Sequence, residues 1–88
     1  MKYIIFDLEF NQSSNKEDSL AQLPFEIIQI GALKLDEDFN TISTYNELVK
    51  PTVYNSIIPY IQELTKITDE MVSSAKEFTD IYYDFMNF

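Results

Sequence analysis

Three stretches of the chain alternate and cluster as strands do, and helical spacing follows them. Residues Tyr3 to Phe10 begin with Tyr3, Ile4, Ile5 and Phe6, apolar on both alternating faces. That pattern predicts a central strand covered on both sides rather than an edge. Asn11 to Leu23 is polar and mixed and reads as a loop. A second strand is predicted from about Phe25 to Leu35, with Ile27, Ile28, Ile30, Ala32, Leu33 and Leu35 as its apolar residues. The polar turn Asp36 to Asn40, around Phe39, leads into a third strand, Thr41 to Val49, with β-branched and aromatic residues at Thr41, Ile42, Thr44 and Tyr45. So short a connection makes the second and third strands a hairpin.

Pro51 ends the third strand. Ser56 is positioned to cap a short helix through about Thr65, with Pro59 tolerated in its first turn. Thr68 is a second N-cap candidate, and Asp69 and Glu70 are placed favourably against the helix dipole. Ser74-Ala75-Lys76-Glu77 has the form of a capping box. Phe78, Ile81, Tyr82 and Phe85 then share one apolar helix face that needs a sheet to cover. Strands followed by helices give an α/β (α+β) fold.

Composition narrows the chemistry. The 88 residues suit one small domain, and 45% hydrophobic with 15% aromatic residues is enough to build a core. Cys and His are absent, which excludes disulfides, zinc sites of Cys or His, and a Cys or His nucleophile or base within these residues. A single Gly argues against a Gly-rich phosphate loop. Carboxylates remain as strong metal ligands, and they favour hard ions such as Mg²⁺ or Mn²⁺. Six basic residues, all Lys, against fifteen acidic ones give a net charge of −9, which on its own disfavours a nucleic-acid partner. No signal peptide is visible and no apolar run reaches the ~18 residues of a membrane span. A soluble cytoplasmic protein without a membrane partner is expected.

Asp7-Leu8-Glu9 changes that picture. Residues i and i+2 of a strand point to one face, so two carboxylates leave an otherwise apolar strand side by side. Crowding like charges is costly unless a cation compensates them. In two-metal sites, ions about 3.5–4 Å apart activate a water and stabilise a leaving oxygen in phosphodiester cleavage. The bland alternative is a solvated strand end, and an Asp-x-Glu triplet alone is a weak signal.

Three segments together resemble the DEDD (DnaQ-like) superfamily of 3′–5′ exonucleases. Phe6-Asp7-Leu8-Glu9-Phe10 is similar to its first motif, and Glu26-Ile27-Ile28-Gln29-Ile30-Gly31-Ala32 to its second strand, usually E-I-I-E-I-G-A. Leu64-Thr65-Lys66-Ile67-Thr68, with Glu70-Met71-Val72 and Ala75, resembles the L-T-G-I-T…V…A stretch. The subgroup it resembles is the DEDDh enzymes related to histone-mRNA and small-RNA 3′ exonucleases. Lys66 stands where that family usually has Gly, and Phe10 where many relatives have Thr. An aromatic residue there is frequent in the RNA-trimming subgroup, which tilts the expected substrate toward RNA over DNA.

The resemblance implies a truncated RNase H-like fold, with a three-stranded antiparallel meander followed by helices and residues 1–88 forming the N-terminal portion of one exonuclease domain. It implies that Asp7 and Glu9 are catalytic metal ligands for Mg²⁺ or Mn²⁺, in a two-metal site when complete. It implies that Leu8, Phe10, Leu64, Thr65 and Ile67 contact the 3′-terminal nucleotide of a single strand, and that Glu26 supports the pair from behind. For Thr65 and Ile67 a helix end and a core contact are the competing readings; for Glu26 the competitor is an exposed strand start. The second Asp motif, and the later His and Asp, do not occur in these residues, so the chain alone is expected to be inactive. In relatives a fourth strand pairs parallel with the first; without it strand one would have an open apolar edge, from which self-association through strand one or the last helix is expected. The alternative function is a non-catalytic, exonuclease-like interaction or oligomerisation module.

Overall fold

Runs of β-branched and aromatic residues form three long strands: β1 (Tyr3–Gln12), β2 (Phe25–Leu35) and β3 (Thr41–Lys50). They pair as an antiparallel meander, β1 with β2 and β2 with β3. Three helices follow: α1 (Pro59–Thr65), α2 (Asp69–Ser73) and α3 (Phe78–Met86). A two-residue strand, β4 (Lys76–Glu77), separates the last two and runs parallel to the end of β3. These elements come from a computed structural model that describes residues 1–12, 25–54 and 56–88. The architecture is the expected RNase H-like α/β arrangement.

Two clusters on opposite faces of the sheet make the core. Ile28, Ile57, Ile61, Ile67 and Val72 gather with Leu48 where α1 and α2 meet the strands. Ile30, Val49 and Ile81 gather with Leu8, Tyr45 and Phe85 where α3 crosses. The Tyr45 hydroxyl donates to the Ile81 carbonyl at 3.4 Å; burial, with the Asp84 and Glu47 charges, raises its pKa.

The hairpin turn is held by Asp36, whose carboxylate accepts from the N–H groups of Asp38 and Asn40, each at 2.9 Å. Those bonds, that of Asn40 first, lower its pKa. Phe39 takes the left-handed conformation that closes the turn, at φ 65°.

Several expectations change. β1 runs through Asn11 to Gln12; the remainder of the expected loop, from residue 13, lies outside the described residues. β1 is an edge strand of the described sheet, not a central one. Ile4, Ile5 and Phe6 are 49, 56 and 57% exposed, so the described residues cover them only in part, with Phe85 of α3 beside the Phe6 ring.

Helix starts also differ. Ser56 does not cap α1; Ile58 holds that position without a side-chain bond. Thr68 does cap α2, accepting from the Met71 N–H at 3.2 Å. No capping box forms at Ser74: α3 starts later, after Glu77, because Lys76 and Glu77 pair with Val49 and Lys50 instead.

Candidate metal and nucleotide site

Asp7 and Glu9 emerge from the same face of β1. Register continues that face across the sheet: Asp7 lies opposite Gly31 and Glu9 opposite Gln29, while Gly31 in turn faces Asn46 on β3. Asp7, Glu9, Gln29, Gly31, Thr44 and Asn46 line an open groove of about 540 Å³, with Ile5 and Leu33 toward its apolar end. Asp7 is exposed and Glu9 half-buried. The Leu8 N–H donates to Asp7 Oδ1 at 3.0 Å, and the Gln29 side-chain amide donates to Asn46 Oδ1 at 3.0 Å. The polar partners on β2 and β3 escaped the sequence reading. Their signal was the hairpin register, which fixes who stands across from whom.

The register shifts immediately after Glu9, where β2 carries one residue more than β1 between paired positions. Such a bulge re-aims side chains and bends the strand. It releases Ile28 into the core, where it is fully buried, and leaves Glu9 as the last carboxylate before the bend.

Beyond the bend sits Asn11, fully buried. Its amide nitrogen donates to the Ser56 carbonyl at 3.0 Å and its oxygen accepts from the Ile58 N–H at 3.2 Å. These bonds fasten the end of β1 to the start of α1, two residues from Glu9. Ile67 is buried in the core, and Thr65 donates to the Ile61 carbonyl at 2.7 Å while accepting from the Ile67 N–H at 3.1 Å. Leu64 is 65% exposed, Leu8 half-buried, and Phe10 exposed beside the Phe25 ring at 6.3 Å. Lys66 takes the left-handed conformation, φ 64°, at the end of α1. That is the geometry a Gly meets without strain, and it accounts for the usual residue in the motif it resembles.

Glu26 lies across from Asn11 in the strand register, and Asn11 follows Glu9 by two residues. The Glu26 carboxylate accepts three successive backbone N–H bonds, from Thr52 at 2.8 Å, Val53 at 2.9 Å and Tyr54 at 3.2 Å. It thus holds the segment leading from β3 toward α1.

Two carboxylates with oxygen donors suit a hard divalent cation. Among the described residues no third acidic side chain joins them to complete a cluster. The fit is therefore that of half a ligand set.

The exonuclease family of the RNase T type matches residues 4–88. A DNA polymerase III of the PolC type from Clostridium perfringens (strain 13 / Type A) is 36% identical over 88 residues, covering 99% of this chain and 5% of the polymerase. Among solved structures, the nuclease domain of 3′hExo, a DEDDh family member bound to rAMP, is similar with a TM-score of 0.81 at 20% identity, covering 98% of this chain and 42% of that one. A 3′-exonuclease in 3′-end-specific recognition of histone mRNA stem-loop gives 0.82 at 20% identity, covering 98% and 37%. The chain thus spans a small part of the polymerase and less than half of either exonuclease.

Glu26→Ala strips the acceptor from three backbone donors and is expected to cost about 1–3 kcal/mol, read as a lowered urea midpoint. An unchanged midpoint would show that the 52–54 segment holds itself.

Proposed function

Because the chain belongs to the exonuclease family of the RNase T type, we propose that Asp7 and Glu9 are the first carboxylate pair of a 3′–5′ exonuclease site that cleaves phosphodiesters at single-stranded 3′ ends. The observation that carries the reading is geometric: a strand that is apolar from Tyr3 to Phe10 apart from Asp7 and Glu9 presents both carboxylates on one face, over an open groove, just before a bulge. Asp7 and Glu9 would hold Mg²⁺ or Mn²⁺. Bound there, the cation would supply Lewis-acid activation of the phosphodiester and of the attacking water.

The protein's own residues orient what enters. The backbone from Leu8 to Phe10 faces the terminal nucleotide. Leu64, exposed at the end of α1, offers an apolar surface to its base. Thr65 and Ile67 act by setting the backbone beneath Leu64, since their side chains are engaged in helix-end bonds and the core. RNA is favoured over DNA on the strength of Phe10, and a cytoplasmic location belongs to the same reading. No helix among the described residues is long and apolar enough to cross a membrane.

The test is calorimetric. The 88-residue chain should bind Mn²⁺, and a nucleoside 5′-monophosphate should then bind only with Mn²⁺ present, the ribonucleotide more tightly than its deoxy form. Asp7→Ala with Glu9→Ala should abolish both. Titrations unchanged by the double substitution would remove the metal assignment. Because the described residues hold one carboxylate pair, the purified chain should show little or no turnover; robust EDTA-sensitive nuclease activity would overturn that part.

A second reading rests on the outer edge of β1, which no other described strand pairs and which carries the exposed Ile4, Ile5 and Phe6. Such an edge pairs readily with another chain, and a Lys placed on it blocks pairing. Self-association through β1 is expected: the chain should sediment above monomer mass at micromolar concentration and Ile5→Lys should return it to monomer. A well-folded monomer before substitution would exclude this reading.

A further inference from the structure

Gly31 is the only glycine in the chain, and it sits inside β2 directly across from Asp7. Glycine in a strand interior sacrifices backbone entropy and cross-strand packing, so its presence there needs a cause. Three causes are usual: a positive φ, a bulge, or the close approach of another group. Gly31 does not have a positive φ. The register shifts involving β2 fall at Glu9/Phe10 and at Lys34/Leu35, neither at Gly31. A Cβ placed on Gly31 would meet no atom within 4 Å among the described residues. Nothing in the described fold therefore requires a glycine here. What a side chain would enter is the groove that Gly31 shares with Asp7 and Glu9.

We infer that Gly31 is a clearance position, whose missing side chain keeps free the space that a divalent cation and its water shell occupy beside Asp7. This rests on the carboxylate pair being a cation site, as proposed above. Directly opposed residues of an antiparallel pair have Cβ atoms about 4.5–5.5 Å apart, so any side chain at position 31 stands next to the Asp7 carboxylate. Mg²⁺-like ions keep several of their waters, and their footprint extends a water layer beyond the ligand oxygens. A branched side chain at position 31 would contest that layer. Gly31 touches no reacting atom and acts only through the volume it leaves, so it is a positioning residue.

Gly31→Ala and Gly31→Val test the inference in the 88-residue chain, with Mn²⁺ affinity by calorimetry and thermal unfolding measured side by side. A strand interior favours both replacements over glycine, and a Cβ at this position has open space around it, so Tm should hold or rise by a few degrees. Mn²⁺ affinity should fall about tenfold or more in Gly31→Val and less in Gly31→Ala. A structural role would give the reverse: Tm would drop, and Mn²⁺ affinity of the folded chain would stay the same. Either a sharp drop in Tm or unchanged affinity in Gly31→Val overturns the inference. If Mn²⁺ binding is present and lost in Asp7→Ala with Glu9→Ala but kept in Gly31→Val, this inference alone fails. If the unsubstituted chain binds no Mn²⁺, the carboxylate-pair reading fails and takes this one with it.

Discussion

Two carboxylates separated by one residue on a strand have no choice of direction: the pleat sends both to the same side. The rest of the molecule is arranged around that constraint. The opposite face of β1 carries Leu8 into the cluster beneath α3 and brings the Phe6 ring within 5.9 Å of Phe85, so apolar packing fixes which way the strand is turned. A one-residue slip in register would exchange the faces, burying Asp7 and Glu9 and exposing Leu8. The packing of half-buried Leu8 and buried Ile30 thus turns the acidic pair to the groove face.

What holds the neighbourhood of the pair in place is a set of side-chain bonds to backbone. Asn11 fastens β1 to the segment before α1, and Glu26 fastens β2 to the segment after β3. Asn11 and Glu26 face each other in register. Both segments converge on α1, whose far end carries Leu64 and Thr65. A buried amide left without partners would cost about 1–3 kcal/mol, which is why Asn11 is informative where an exposed polar residue would not be. The bulge beside Glu9 joins these features by redirecting β2 so that Ile28 enters the core.

Strand positions were readable because closely spaced β-branched residues such as Ile27, Ile28 and Ile30 favour a strand, and the hairpin because Asp36 and Asn40 are strong turn formers. Asn11 was misread because a polar residue after an apolar run resembles a loop start until its buried partners are known. Ser74 to Glu77 has the local chemistry of a capping box, yet tertiary pairing of Lys76 and Glu77 with β3 prevailed. The apolar character of Ile4 to Phe6 on both faces signals a strand, which β1 is, but the covered central position read from it is not found among the described residues, because it depends on a neighbour that a strand's own pattern does not encode. The carboxylate pair was legible through the pleat alone. Its groove was not, because Gln29, Gly31 and Asn46 join it only through pairing between strands.

The central claim is that Asp7 and Glu9 bind a divalent cation as a defined site rather than as part of a diffuse acidic surface. With fifteen acidic residues and a net charge of −9, loose Mn²⁺ binding anywhere is a real competitor. Paramagnetic broadening of backbone amide resonances by substoichiometric Mn²⁺ separates the two. Signals of residues 7–10 and of Gln29 to Gly31 should vanish first, well before those of Glu37, Asp38, Glu70 and Asp80. Broadening spread evenly over the acidic surface, or centred away from β1, would contradict the account.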